Sequence, residues 1–407
     1  MPTPRPASES ERLVAAHIAA GLGGPRPPDA LGAACRDALA RIEARIEAGE
    51  TRLEARSESR KRARGARRPL RLILLEEPRP VGLVTPGHIL ISRGLFSVLA
   101  RRSLAVDRAP FDRGRVALTL LVWLRAHHEI VAPELRRRLE LDAATLEGLR
   151  RGRLPGSTAG RLRRRLRSVE TARWSDAILR RTRDRAVAIL ARLGLPASDL
   201  LAARDALLPP EPRTETRGLT FASRFRLDGP VPAELEQQLA ARGPVPLAPA
   251  AARRGRELAR LARREVSPRA DAARLRAEAR VRRGAFAAAL DDAREAAGRR
   301  PADAAALALL GEITLALGQT VDAASALRRA LLLQPDHARA RLTRARMDLR
   351  DGRLAAARRQ AEDLLRDHPL MAEVHALLAA IAAAEGRDAE PRRRLAAALG
   401  AALGAPR

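Results

Sequence analysis

Residues 304–335 read AAALALLGEITLALGQTVDAASALRRALLLQP, and this stretch decides the fold. It carries Gly311, Gly318, Ala323, Ala330 and Pro335, and its marks return at one fixed interval. Pro301, Pro335 and Pro369 lie 34 residues apart, as do Gly284, Gly318, Gly352 and Gly386. Ala289, Ala323 and Ala357 form a third series, with Pro391 in the fourth place. Self-similarity at such a period marks one supersecondary unit stacked on copies of itself. Each glycine stands where a helix needs a left-handed residue to stop. Each proline follows a second helix, which it cannot continue. The small residues let two helices approach closely. The expectation is eight consecutive antiparallel helices between about residues 270 and 403, turning at the four glycines.

Period and residue types together resemble the tetratricopeptide (TPR) family, whose repeat has this length. The resemblance implies a helical solenoid that binds a protein or peptide partner on the concave face made by the first helix of each pair. The family's groove positions fall on Arg274, Glu278, Glu312, Arg339, Arg346 and Glu373. Arg339 and Arg346 are seven apart on one helix, hence on one face, where they could hold a carboxylate through bidentate contacts. Pro391 suggests a distorted last unit. Pro268 lies 33 residues before Pro301 and residues 256–266 look like a lone second helix, so the stack is expected to open with a half repeat near residue 250.

The 407-residue chain is long enough for two domains and is 46% hydrophobic, with aromatics at only 2% and no tyrosine. Alanine and leucine must therefore do the packing. Its net charge is +29, and Lys61 is the only lysine, so arginine supplies almost all of the positive charge. Such a charge admits nucleic acid as a partner. It also fits arginine-filled solvated helix faces, and the basic segments at residues 150–153 and 161–167 have almost no interleaved aromatics for base stacking. Cys35 stands alone, which excludes an internal disulfide and a cysteine-based zinc site. No apolar leader is visible in residues 1–28, and no apolar run approaches the roughly 20 residues of a membrane span. A cytoplasmic protein with no membrane partner and no cofactor is expected.

Ahead of the repeats, residues 1–29 are rich in proline, glycine, serine and alanine and read as a mobile tail. Leu31, Cys35, Leu39, Ile42 and Ile46 follow with helical spacing. A basic run between Arg60 and Arg68 reads as a solvated linker. Then the period changes: residues 70–75, 81–84 and 88–92 read as strands, with a turn at Thr85-Pro86-Gly87 and a helix opening at Arg93-Gly94-Leu95.

The run Pro86-Gly87-His88-Ile89-Leu90-Ile91-Ser92-Arg93-Gly94-Leu95 resembles the strand-and-turn signature of the HtpX family of zinc metallopeptidases, over roughly residues 71–225. Some bacterial members of that family join such a domain to C-terminal TPR repeats. There, a later helix carries two histidines four apart with a glutamate base between them. In this chain residues 116–131 are the matching helix, and His128-Glu129 begins the motif, but Ala132 occupies the second histidine's place. Aligning the family's third ligand on Asp184 selects Arg180, and aligning it on Asp176 selects Ala172; Glu170, the nearest acid, is off register in both. Residues 219–225 faintly resemble the family's end-of-domain segment. His128 and Glu129 are thus read as vestigial, with no catalytic and no metal-binding residue.

The sequence reading is a mainly α protein. A tail over residues 1–29 precedes an α+β peptidase-like domain with a small sheet over residues 30–245. A TPR α-solenoid follows over residues 250–404. Its expected role is a non-catalytic adaptor or scaffold. The alternatives are a zinc peptidase with unusual ligands and a basic nucleic-acid-associated protein.

Overall fold

The computed structural model of the chain describes residues 8–54, 70–79, 81–95, 113–170, 175–195, 200, 249–265 and 267–400. Two readings, the basic run between Arg60 and Arg68 and the segment 219–225, lie outside them. The described residues are mainly helical and fall into two compact units. A sheet unit draws on Pro28–Arg136 and Arg173–Val266, and a repeat unit on Ser8–Pro27, Arg137–Ala172 and the chain from Ser267 onward.

The sheet unit holds three strands, β1 (Arg71–Leu75), β2 (Gly82–Thr85) and β3 (His88–Ser92), in the order β1-β3-β2. Strand β3 runs parallel to β1 and antiparallel to β2, so it lies between the other two. All five of its residues are buried, as a central apolar strand should be. Helix α2 (Ala30–Glu54) packs on β1. It hides Leu31, Cys35, Leu39, Ile42 and Ile46, the stripe read from the sequence. Helix α3 (Arg113–Leu139) contains the expected helix and continues through Pro133. Helices α6 (Asp176–Leu193) and α7 (Pro249–Glu265) both pack along α2. Thus the helix read as a half repeat, α7, belongs to the sheet unit.

The residue types in the stretch read as a peptidase-like signature have a local structural explanation. Gly87 takes φ +76 in the turn between β2 and β3. The Ser92 hydroxyl accepts the Val81 N–H at 2.7 Å and the Leu95 N–H at 3.1 Å, and donates to the Arg79 carbonyl at 2.6 Å. Arg93 is fully buried and pairs with buried Glu76 at 3.1 Å. At Gly94 a Cβ would stand 2.1 Å from the Pro78 carbonyl oxygen, so the backbones touch only because no side chain intervenes.

The repeat unit contains the eight expected helices in four pairs. They are α8 (Pro268–Arg282) with α9 (Phe286–Arg299), α10 (Ala304–Ala316) with α11 (Thr320–Leu333), α12 (Ala338–Arg350) with α13 (Leu354–Asp367), and α14 (Ala372–Ala384) with α15 (Glu390–Gly400). The turns fall at Gly284, Gly318, Gly352 and Gly386, with φ between +70 and +81. First helices also touch first helices, α10 against α12 most extensively. Ala289, Ala323 and Ala357 are completely buried, and a Cβ on Gly311 would meet the Leu327 side chain at 2.7 Å. Pro391 sits in the first turn of α15, where its missing N–H removes no helical hydrogen bond. Helix α15 starts four residues after Gly386, against two residues after the glycine in the other pairs, so the last pair departs from the repeat at this point.

Three upstream helices complete this unit. Helix α1 (Glu9–Gly21) lies within the stretch read as a mobile tail, and it is ordered for two reasons. Ser8 and Glu11 form a reciprocal capping box, and Leu13, Val14, Ala15, His17 and Ala19 are buried. Short polar and small residues hid this helix from a compositional reading. Helices α4 (Ala143–Arg151) and α5 (Gly156–Glu170) follow α3, and α5 packs on α15, covering the end of the stack. Ala159 and Leu162 face inward while Arg161, Arg164 and Arg165 face solvent. A solenoid needs such a cap because its last pair would otherwise expose an apolar side. No helix among the described residues is long and apolar enough to cross a membrane.

Candidate functional site: the face of the first helices

Four of the six positions read as a groove come together. Arg274 on α8 is buried, with Nε donating to Glu278 at 3.0 Å and Nη1 standing 3.5 Å from Asp303. Arg339 on α12 donates from Nε to Glu312 on α10 at 2.5 Å. Burial works against the Arg339 charge, but Glu312 and Glu278 outweigh it and hold the guanidinium above its usual pKa. Charged groups from α8, α10 and α12 thus form one alternating network. Arg346 and Glu373 are half-buried, and neither has an ion-pair partner among the described residues. Arg339 and Arg346 share a helix as read. Part of the Arg339 fork, however, is already engaged by Glu312 rather than left for a ligand.

Two members of this neighbourhood escaped the sequence reading. Asp303 caps α10 by accepting the Ala306 N–H at 3.0 Å, and His337 caps α12 by accepting the Ala340 N–H on Nδ1 at 3.2 Å. They are 34 residues apart, so the repeat period itself could have found them. Burial, then the charges of Arg274 and Arg339, push the His337 pKa down to about 4. Its imidazole is neutral at pH 7 and keeps the lone pair the cap needs. Some of the arginines are structural here, since Arg276 and Arg280 both reach from α8 to Asp292 on α9.

His128 and Glu129, read as vestigial from the resemblance, lie in the sheet unit and are engaged in packing. His128 accepts the Gly87 N–H on Nε2 at 3.2 Å, tying α3 to the turn before β3. Burial first, then Arg125, Arg136 and the neighbouring histidines, lower its pKa to about 3. His127 is buried with Nδ1 3.3 Å from the Thr182 hydroxyl, and burial lowers it to about 3. Glu129 pairs with Arg125 at 2.8 Å and with Arg185 at 2.9 Å, while Arg125 also pairs with Glu43. This chain of charges ties α2, α3 and α6 together. Ala132 is buried one turn beyond His128, Arg180 is exposed on α6, and Ala172 lies outside the described residues. Among the described residues no group of three or more histidine, cysteine, aspartate or glutamate side chains is placed to hold a metal ion. A cavity of about 430 Å³ opens between α2 and β1, lined by Arg36, Leu39, Glu43, Arg71 and His88 among others.

Comparison with known proteins supports the repeat unit. The profile of the tetratricopeptide repeat family matches residues 314–381, from the end of α10 through most of α14. No curated protein matches the chain. Repeats of this kind point to protein–protein interaction as the role of the unit. The match does not reach the peptidase-like stretch.

Proposed function

We propose that this protein is a non-catalytic adaptor whose repeat unit recruits a protein partner through the face of α8, α10, α12 and α14. The observation that carries the reading is the four-pair repeat with its matched tetratricopeptide segment. Support for the face comes from Arg346 and Glu373, half-buried side chains without an ion-pair partner among the described residues. Beside them runs a preorganised network of Arg274, Glu278, Glu312 and Arg339. A charged network with fixed geometry selects a partner of complementary charge pattern.

In this reading the sheet unit is a support, similar in its strand-and-turn signature to the zinc peptidases but without their chemistry. The packing roles of Ser92, Arg93, Gly94, His128 and Glu129 support a stretch kept for its shape. Catalytic zinc takes three protein ligands and leaves a position for water. Ala132 removes one of them, and His128 already accepts a backbone N–H.

The test is capture from native lysate by the full chain and by the double variant Arg339→Glu, Arg346→Glu. Partner affinity is expected to fall by more than ~1 kcal/mol, the usual scale for losing charge-assisted contacts. The helical signal should be unchanged. Undiminished capture by the double variant would show that the partner binds elsewhere.

A further inference from the structure

The repeat unit includes a piece of chain far from it in sequence, Ser8–Pro27. Its placement is specific. Ala20 packs against the core cluster that contains Ala338, Leu342 and Leu378, beside Leu349 and Met371. His17 is buried near enough to His368 that each charge would disfavour the other. Past the end of α1, Gly23 and Gly24 take φ +82 and +86 and carry the chain across the start of α12. A Cβ on Gly24 would stand 3.6 Å from the His337 ring and 3.8 Å from the Gln334 amide. At the other end, Glu9 pairs with Arg150, and the Ser10 hydroxyl donates to the Leu139 carbonyl at 3.2 Å while accepting the Leu141 N–H at 2.9 Å.

The neighbours of His17 and Gly24 fall on the entry side of α12 and α14. Gln334 and His337 close the loop before α12, and His368 and Met371 close the loop before α14. Thirteen residues of helix give α1 a length of about 20 Å, enough to pass two neighbouring repeats. Only Glu9, Arg12 and Gly21 of α1 are exposed, so the helix is covered over most of its surface, and a two-glycine turn follows it.

We propose that residues 8–27 are a built-in occupant of the repeat unit, docked on the loops and first helices of its third and fourth pairs. A partner helix of the same pattern must compete with them for that place. The proposal rests on the adaptor reading for its consequence, since it makes partner capture conditional on release of α1. The docking itself stands on the contacts above. A ligand can shift such an equilibrium only through its different affinity for the two states. A partner helix that needs this surface therefore binds more weakly to the docked protein than to the released one.

Amide hydrogen exchange on the full chain tests it, with Ala20→Glu and Gly24→Val as two separate disruptions. In the unaltered protein, α1 and the segments 334–342 and 368–378 are expected to open with one common free energy, as one cooperative unit. Each variant should speed exchange in all three at least tenfold while α8 and α9 keep their protection. A labelled synthetic peptide of residues 8–27 should bind either variant at least tenfold more tightly than the unaltered chain. Opening of α1 with no change at 334–342 and 368–378 would overturn the proposal, as would equal peptide binding, or none, to all three proteins. Should Ala20→Glu unfold α8 and α9 as well, Gly24→Val and the common opening of the unaltered chain decide. Uncoupled exchange removes the docked segment and leaves the adaptor reading standing. Partner capture that ignores Arg339 and Arg346 removes the groove reading and leaves the docking intact.

Discussion

In the repeat unit the completely buried side chains between helices are largely alanines, among them Ala273, Ala277, Ala289, Ala293, Ala323 and Ala357. In the sheet unit the largest almost completely buried side chains among the described residues include Arg93, Leu31, Ile46, Leu75, Ile89, Leu90 and Ile91. The first unit is stabilised by many small contacts, each repeated in the next pair. Among the described residues of the second, several contacts have no counterpart elsewhere: a buried ion pair, a serine with three backbone partners, and a glycine against a carbonyl. A repeated contact can be weakened once and leave its copies intact. A unique contact has no copy. The sheet unit should therefore respond more steeply to a single well-placed change.

Acid titration is the largest test of this contrast. His127 is held down to about 3, and His17, His337 and His375 to about 4, in each case mainly by burial. The unfolded chain takes up these protons near pH 6.5, before the folded protein does. Stability is therefore full above about pH 6.5 and falls as the pH drops toward the folded values. Each such histidine contributes a slope of up to about 1.4 kcal/mol per pH unit in that window. Urea midpoints followed from pH 7 to pH 4.5 should fall by several kcal/mol in equivalent stability. His127→Gln should flatten the loss in the sheet unit alone, and His337→Gln in the repeat unit alone. Equal flattening of both by either change would show that the units unfold as one and erase the comparison.

A smaller and more local test uses two glycines. Gly94→Ala places a methyl against backbone that cannot move aside, and should cost about 3 kcal/mol. Gly311→Ala places one against the Leu327 side chain rather than against backbone, and should cost about 1 kcal/mol. Chemical denaturation of both variants decides, and a larger loss at Gly311 would reverse the argument. The smallest expected effect is that of zinc. One added equivalent should leave the melting temperature of the full chain unchanged, and protein purified without chelator or histidine tag should contain no zinc. One equivalent that is lost on His128→Ala would promote the peptidase alternative. The partner-capture loss for Arg339 and Arg346, more than ~1 kcal/mol, falls between the costs of the two glycine changes.

Legibility in the sequence follows the same division. The 34-residue series fixed eight helices and four turns because every repeat presents the same glycine, proline and small residues to the same neighbours. The strands and the α2 stripe were readable because period 2 and period 3.6 differ over a few residues. The network around Arg339 was half readable. The positions came from the repeat, but its pairing with Glu312 joins two helices through geometry. Helix α1 was unreadable from composition, since its small and polar residues are ordered by a cap and by partners hundreds of residues away.

The sequence by itself determined the solenoid and the small sheet, both of them matters of residue type and short-range spacing. Only the tertiary structure decided that residues 8–27 and 137–172 complete the repeat unit, that α7 joins the sheet unit, and that His128 and Glu129 are engaged by Gly87, Arg125 and Arg185. These are choices among partners of similar apolar or charged character. Local pattern says that a face must be covered, whereas the cover itself is selected by the shape and charge of the whole packed unit.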